Sequence, residues 1–368
     1  MKTIGIFTTG YGHESIARAI AEKIEEKTKE KYKIKFFFSN KEILNGIYNS
    51  FYRFSPSSTG TAFNIISDLT KKSKNTRELL KLIMSFNEEK QIKSFIKKNK
   101  VDLCISTYFI CNPTLEKIKE EGIPLINIVS DPKTIYLLGI SEKADINLVF
   151  DEYVTKNYDH GKMKISGWFV RNKFEKKYDQ KTIRKKLKID DNLTFLVASG
   201  SEGANAVLKI LPSIINCDKK VNFIVACGNN EFLYNNILGI RQSLEKFSSS
   251  KAKIVPLGFT KDLHLYMQAA DLVIGKAGPN TLFESVACET AFFAITHIHG
   301  QEDGNLDIIN DYKLGIVEEN EKKANQKLEK IIKNPKKIET FSKNIKALKK
   351  HNQGAIDILL KEIEKLIG

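Results

Sequence analysis

The sequence lacks any long apolar run, and its few cysteines are scattered. No window approaches the roughly 20 consecutive apolar residues that a membrane span needs, so we do not expect an integral membrane protein. The five cysteines stand singly without a Cys-x-x-Cys pair, which argues against structural zinc and a disulfide framework. The apolar run at the N-terminus is too short for a signal peptide, so we expect a cytoplasmic protein.

Length and composition indicate a globular chain with more than one domain. The chain has 368 residues, 42% of them hydrophobic and 28% charged. This balance excludes a disordered protein. The chain is longer than a typical domain with a single hydrophobic core, so we expect two domains of roughly 150 to 200 residues each.

Positive charge is abundant and has one local concentration. The net charge is +15, and residues 71–100 hold ten basic side chains against three acidic ones. Leucine, isoleucine and phenylalanine recur among them at roughly helical spacing, after an aromatic-rich stretch. A basic amphipathic segment of this kind suits the surface of an anionic bilayer, although it is also compatible with an ordinary solvated helix. Because the excess is shared by both halves and no nucleic-acid-binding motif is visible, we expect no nucleic-acid partner.

Apolar strand-like runs alternate with helix-like segments through most of the chain. Five such runs, TIGIF, IKFFFS, DLCIST, PLINIVS and INLVF, precede a charged stretch without clear periodicity. Five more, LTFLVAS, NFIVACG, AKIVPLG, DLVIGKAG and FFAITH, follow it. The alternation predicts an α/β protein with parallel sheets. We place an N-terminal domain at 1–167, a linker at 168–190, a second domain at 191–350 and a last helix at 351–368 that packs back on the first domain.

The first glycine-bearing turn joins the first strand to the first helix. It contains Gly10, Gly12 and His13, and Ser15 stands where a dinucleotide fingerprint would need its third glycine. Glycines allow a tight turn and close approach of a ligand. An imidazole at this position could act as a general base near neutral pH, or simply hydrogen-bond its own loop.

Two further small-residue turns lie in the second half. Gly200 and Ser201 follow its first strand, which is a weak phosphate-compatible signal. The stronger pattern runs from Lys276 to Glu284, in which an apolar strand, a Gly-Pro turn and a helix follow in order. We expect Asn280 or Thr281 to cap that helix, and its start to offer a seat for an anion. The residues of this segment that we assign to a nucleotide site are Lys276, Gly278, Pro279, Asn280, Thr281 and Glu284.

Each part of this segment suggests a role. Glu284 lies about one turn into the helix, where a carboxylate can accept two ribose hydroxyls. No Asp-x-Asp pair occurs in the sequence, so we expect no metal-bridged diphosphate and no tightly bound cofactor. Lys276 and the helix start would carry the charge of a leaving diphosphate instead.

A polar loop follows the next strand and is suited to binding sugar hydroxyls. Its position past the carboxyl end of a parallel strand is typical of sites in open α/β sheets. A zinc site is a weaker interpretation, since the two histidines stand two residues apart on a loop. The polar residues of this loop are His297, His299, Gln301, Glu302, Asp303 and Asn305.

The run GKAGPNTLFESVACETAFFAITHIHGQEDGN resembles the C-terminal donor site of the family 28 glycosyltransferases. These include the monogalactosyldiacylglycerol synthases, the bacterial diacylglycerol glucosyltransferases and the MurG-type enzymes. The Gly-x-Gly-His turn and the helix after it are similar to the N-terminal part of the glycolipid synthases. The resemblance therefore covers most of the chain.

The resemblance implies a GT-B fold, in which two Rossmann-like domains with parallel sheets face each other across a cleft. It further implies a UDP-sugar donor, an inverting transfer to a diacylglycerol-type lipid, and a peripheral location on the inner face of the cell membrane. Gly278 to Thr281 would line the diphosphate, Gln301 and Glu302 would contact the donor sugar, and Phe259 would lie at the uracil. His13 would lie near the acceptor hydroxyl, with Asp131 as the rival base or the group that orients it.

Three other functions stay open at this point. A glycosyltransferase acting on a non-lipid acceptor would share both domains but would not bind vesicles. A sugar-nucleotide 2-epimerase of the same fold would consume UDP-GlcNAc without an acceptor. A non-catalytic nucleic-acid-binding protein is the least favoured, because the charge pattern and motifs do not support it.

Overall fold

The computed structural model gives the chain two compact units. The residues that it describes are 1–10, 12–29, 31–39, 70, 73–86, 88–198 and 204–368. The first unit contains residues 1–172, 299–304 and 350–368, and the second contains 173–298 and 305–349. The stretch expected as a linker, 168–190, is divided between the units and holds two short helices. The last helix belongs to the first unit.

Each unit is built on one six-stranded sheet within the described ranges. The strands of the first sheet are β1 (Lys2–Thr8), β2 (Tyr32–Phe38), β3 (Leu103–Ser106), β4 (Leu125–Ile128), β5 (Ile146–Val149) and β6 (Met163–Ile165). The strands of the second are β7 (Leu193–Ala198), β8 (Val221–Gly228), β9 (Ala252–Gly258), β10 (Leu272–Lys276), β11 (Ala291–Thr296) and β12 (Gly315–Val317). All ten expected strands are present, and β6 and β12 are additional.

Helices connect most successive strands. In chain order they are α1 (Gly12–Thr28), α2 (Lys74–Phe86), α3 (Glu89–Asn99), α4 (Asn112–Glu120), α5 (Glu152–Asn157), α6 (Asn172–Glu175), α7 (Gln180–Lys186) and α8 (Ala204–Ile215). They continue as α9 (Glu231–Phe247), α10 (Leu263–Ala269), α11 (Pro279–Ala287), α12 (Asp303–Asp311), α13 (Glu321–Lys333), α14 (Lys336–Glu339), α15 (Ser342–Gln353) and α16 (Ala355–Ile367). None of the described helices combines the length and apolar character needed to cross a bilayer.

Both sheets are parallel and reverse their strand order once. The first runs β2-β1-β3-β4-β5-β6 and the second β12-β11-β10-β7-β8-β9. In such sheets a crevice opens at the carboxyl ends of the two strands where the order reverses. Those pairs are β1 with β3 in the first unit, and β7 with β10 in the second. The predicted α/β fold with two parallel sheets is therefore confirmed.

Burial explains why apolar runs identify the strands. The side chains of β3 and β4 are buried throughout, as expected for parallel strands covered on both faces. In the second sheet Gly275 lies opposite Ala198. A Cβ atom at this glycine would lie 2.0 Å from the Ala198 carbonyl oxygen, so only glycine fits there.

The described residues of the basic stretch 71–100 include two helices, α2 and α3, which have different surroundings. On α3, Ile92 and Ile96 are buried in the core of the first unit. On α2, Leu79, Leu82 and Ile83 are 58%, 60% and 58% exposed. We call these three side chains the α2 patch. α2 therefore exposes apolar side chains, whereas α3 uses Ile92 and Ile96 for the core, and the contact of this basic stretch with a membrane stays a prediction.

Candidate active site

His13 lies where the strand order of the first sheet reverses. It lies in the first turn of α1, directly after β1, and its Nδ1 is 2.8 Å from the carbonyl oxygen of Thr107, which directly follows β3. The hydrogen bond therefore joins the two strand ends at which the order reverses. Because a carbonyl oxygen only accepts, Nδ1 donates and carries the proton. The lone pair of a neutral imidazole then lies on Nε2.

The surroundings of His13 favour this neutral form. Burial lowers the pKa of His13 below its usual 6.5, and the hydrogen bond to Thr107 opposes that shift less strongly. The ring of Tyr108 lies close by, with the two ring centroids 5.0 Å apart. A neutral, oriented imidazole of this kind is chemically able to accept a proton near pH 7.

Asp131 lies in the turn after β4 in the same unit. Burial raises its pKa to about 7, and the negative charge of Glu302 acts in the same direction. Glu302 is itself buried, with 5% of its surface exposed. A pKa in this range allows Asp131 to take up and release a proton near neutral pH, so it could also exchange a proton with a substrate. The geometry leaves both His13 and Asp131 as candidates for a base.

The Gly-Pro turn of the second unit directly follows β10 at the sheet reversal. The peptide groups of Ala277 are held on both sides, since its N–H donates to the Thr296 carbonyl at 2.9 Å and its carbonyl accepts from the Asn305 side-chain amide at 2.8 Å. These two bonds connect the end of β10 to the end of β11 and to α12. The turn that leads into α11 is therefore anchored at its start.

Helix α11 begins two or three residues earlier than a cap at Asn280 or Thr281 requires. Gly278 is the N-cap and Pro279 the first helical residue. Asn280 and Thr281 lie inside the first turn, so the expectation that one of them caps the helix is wrong. Proline is favoured at the first helical position because its fixed φ suits a helix and its missing N–H would be unpaired there. The glycine N-cap leaves this helix start without a side-chain cap.

The other expected donor-site residues of the second unit are partly or largely exposed. Lys276 ends β10 and Glu284 lies in the second turn of α11, and both are half-buried. Phe259 directly follows β9 and is 66% exposed, which is unusual for a phenylalanine and leaves its ring able to stack on a flat ligand. Gly200 and Ser201 lie outside the described residues.

His297 has a partner that the sequence did not indicate. Its Nδ1 lies 2.7 Å from a carboxylate oxygen of Glu319, and the histidine is 9% exposed. Glu319 follows β12, so it comes from a neighbouring strand end of the same sheet. Only the adjacency of β11 and β12 brings the two side chains together, and β12 was not predicted.

The residues expected to bind the donor and the acceptor are distributed between the two units. Gln301 and Glu302 belong to the first unit, together with His13 and Asp131. The glycines of the first turn also lie there, with Gly10 two residues past the end of β1 and Gly12 at the start of α1. Lys276, Glu284 and the turn between them belong to the second. The sequence had assigned all residues from 191 to 350 to the second domain.

Solved structures with the same architecture define the fold class. MurG of Acinetobacter baumannii matches with a TM-score of 0.64 at 15% identity, covering 98% of this chain and 100% of that one. A UDP-GlcNAc 2-epimerase from Neisseria meningitidis, solved with UDP-GlcNAc bound, matches with a TM-score of 0.60 at 14% identity, covering 99% and 100%. The chain therefore has the GT-B fold, as expected.

Family models and curated relatives identify the class of enzyme. Residues 194–358 match the glycosyltransferase family 28 C-terminal domain, and residues 13–164 match the monogalactosyldiacylglycerol synthase family. A processive diacylglycerol β-glucosyltransferase of Bacillus licheniformis is 24% identical over 74% of this chain and 71% of its own length. Monogalactosyldiacylglycerol synthase 3 of Arabidopsis thaliana is 29% identical over 54% of this chain and 41% of its own. The second half of the chain therefore matches a family 28 glycosyltransferase domain and the first half matches the monogalactosyldiacylglycerol synthases, the family resemblance that its motifs predicted.

Proposed function

We propose that this enzyme transfers a hexose from a UDP-sugar to a diacylglycerol-type lipid, with inversion at the anomeric carbon. The similarity to glycosyltransferases named for diacylglycerol supports the acceptor. The observation that carries the proposal within the molecule is His13, a neutral imidazole held by the Thr107 carbonyl at a sheet reversal. A base in this position is what an inverting transfer to a hydroxyl group requires.

In the proposed reaction, Nε2 of His13 takes the proton of the acceptor hydroxyl. The hydroxyl oxygen attacks the anomeric carbon from the face opposite UDP, and the bond between that carbon and the diphosphate breaks. Asp131 is the alternative proton acceptor, since its pKa of about 7 also suits the task. In that case His13 would orient the acceptor.

The start of α11 is the proposed binding site of the diphosphate. A helix start presents N–H groups and a partial positive charge to an anion, and this one has no side-chain cap. Lys276 would add a full positive charge as the leaving group departs. The absence of an Asp-x-Asp pair from the sequence supports a diphosphate held without a bridging metal. Glu284 would bind the ribose, and Phe259 would stack on the uracil.

A lipid acceptor requires contact with a bilayer, and we propose that the α2 patch supplies it. The patch exposes three large aliphatic side chains on one helix of the first unit. Exposed lysines on α3, including Lys90, Lys97 and Lys98, would add electrostatic attraction to anionic lipids. We therefore propose a peripheral enzyme on the inner face of the cell membrane.

A lipid-phase assay tests this proposal. The protein is incubated with vesicles that contain diacylglycerol, and labelled UDP-glucose and UDP-galactose are offered separately. We expect label from one of the two to move into the organic extract, and more slowly with the His13→Gln variant. Label that stays in the aqueous phase with both donors would refute the lipid acceptor.

The structural similarity to a UDP-GlcNAc 2-epimerase supports a second candidate of the same fold. An epimerase would convert UDP-GlcNAc without vesicles and without releasing a glycolipid. Turnover of UDP-GlcNAc in the absence of any acceptor would therefore favour this alternative.

A further inference from the structure

The segment 299–304, which includes the two residues proposed to contact the sugar, belongs to the first unit and forms a tight turn that runs into the first two residues of α12. Gly300 has a φ of +82°, a conformation that side chains disfavour, and its N–H donates to the Asp303 carboxylate at 2.8 Å. Within this turn Glu302 and Gly304 are buried, whereas Asp303 is exposed. The turn is therefore ordered by its own hydrogen bond and held against other residues of the unit.

The residue that holds it is Thr134. The backbone N–H of Gly304 donates to the Thr134 hydroxyl oxygen at 2.6 Å. Thr134 belongs to the turn after β4 that also carries Asp131. One hydrogen bond therefore connects the Asp131 turn to the turn that carries Gln301 and Glu302.

The contact leaves no space for a side chain at position 304. A Cβ atom there would lie 2.6 Å from the Thr134 hydroxyl oxygen, and 2.7 Å from both the Thr134 backbone nitrogen and the Lys133 Cβ. Because one of these neighbours is backbone, a larger residue would displace one turn from the other. Glycine at 304 is thus required by the close approach itself.

The same contact brings two acidic side chains near each other. The charge of Glu302 contributes to the raised pKa of Asp131, which shows that the two carboxyl groups interact. Like charges repel, and the Thr134–Gly304 bond is an attractive contact between the same two turns.

From this arrangement we infer that Thr134 is a positioning residue, which sets the place of Gln301 and Glu302 and thereby the binding of the hexose part of the donor. The inference rests on the proposed function, since it assumes that these two residues meet the sugar. It assigns to Thr134 an effect on the sugar and none on the nucleotide, because the nucleotide site proposed above lies on α11.

Comparing UDP with the UDP-sugar separates this role from a general structural one. We expect Thr134→Val to raise KM for the UDP-sugar about threefold to tenfold, the usual effect of one lost hydrogen bond. The Kd for UDP should stay within about twofold. Thr134→Ser keeps the hydroxyl and should restore the donor KM, and Thr155→Val on the exposed face of α5 serves as the control.

A second variant changes Gly304, the other partner of the hydrogen bond with Thr134. Gly304→Ala should also raise the donor KM while leaving UDP binding unchanged, so the inference can be tested even if one variant folds poorly. An unchanged donor KM in both variants, or an equal loss of UDP and UDP-sugar binding, overturns the inference.

A third variant separates this inference from the proposed function. If Gln301→Ala raises the donor KM and Thr134→Val does not, the positioning role of Thr134 alone is wrong. If Gln301→Ala and the two contact variants all leave the donor KM unchanged, the turn does not meet the sugar, and the proposed sugar site is wrong as well.

Discussion

The pH dependence of transfer can decide whether His13 or Asp131 is the base. A base works in its deprotonated form, so the rate rises with pH through the pKa of the base and then levels off. Burial holds the pKa of His13 below 6.5, whereas burial and the charge of Glu302 raise that of Asp131 to about 7. With His13 as the base, kcat/KM is already near its plateau at pH 7. With Asp131 as the base, it still climbs between about pH 6 and 8.

The variant that best tests the role of the Nε2 lone pair of His13 is His13→Gln. A glutamine amide can still donate to the Thr107 carbonyl, so the contact at the sheet reversal is retained, but no basic nitrogen remains. Loss of a general base costs about 10² to 10⁴ in rate, or roughly 3 to 5 kcal/mol of transition-state stabilisation. UDP affinity should stay near normal, because the proposed nucleotide site is in the other unit.

The assay is transfer of labelled sugar to vesicles of constant composition, measured between about pH 5 and 9. His160→Gln is the matched control, since this histidine lies on the surface of the same unit. A His13→Gln enzyme within about threefold of the parent rate would refute His13 as the base. If Asp131→Asn also kept the rate, both assignments would be wrong.

Three further predictions concern binding and stability. Glu284→Ala should weaken UDP binding by about 1 to 3 kcal/mol in calorimetry, the cost of leaving buried polar groups unpaired. The control variant Glu329→Ala, on the exposed side of α13, should bind UDP normally. Equal UDP affinity of the Glu284→Ala variant and the parent enzyme would remove Glu284 from the site. Replacing the α2 patch with glutamines should lower co-sedimentation with anionic vesicles at least about tenfold, because apolar area is the main source of such binding. Phe232→Gln in the second unit, where the side chain is 78% exposed, is the control. Unchanged sedimentation would contradict the membrane role of α2. Asp131→Asn should raise the melting temperature at pH 8 more than at pH 5. The folded-state pKa of about 7 lies above the usual 3.8, so stability is lost as pH rises from about 4 to about 7, by up to about 4 kcal/mol at 1.36 kcal/mol per pKa unit. Equal gains at both pH values would argue against that raised pKa.

Apolar runs and glycine turns were enough to predict much of the fold. Ten strands were visible because parallel strands are buried on both faces and therefore read as continuous apolar segments. The strands β6 and β12 were not predicted, because each has only three residues, all half-buried, and β6 contains Lys164. Such short strands carry too few residues for a pattern to form.

The positions of site residues were easier to predict than their partners. His13 and Glu302 could be selected because polar residues past the carboxyl ends of parallel strands are typical of binding sites, whereas Asp131 was selected through the resemblance to the family 28 glycosyltransferases. The contact of His13 with Thr107 spans 94 residues, and that of Gly304 with Thr134 spans 170. No local pattern encodes such contacts, since they depend on strand order and on the path of each turn.

The N-cap of α11 was predicted wrongly, because neighbouring residues favour different starting points for this helix. Asn280 and Thr281 are residue types that favour N-caps, but Pro279 precedes them and has the φ that suits a first helical residue. The helix therefore starts at the proline, with Gly278 as its cap.

A structure of the protein with bound UDP tests the central claim most directly. The account predicts the diphosphate at the start of α11 beside Gly278 and Asn280, with the ribose on Glu284 and the uracil against Phe259. A nucleotide found elsewhere in the molecule, or a start of α11 closed by the protein's own side chains, would contradict it.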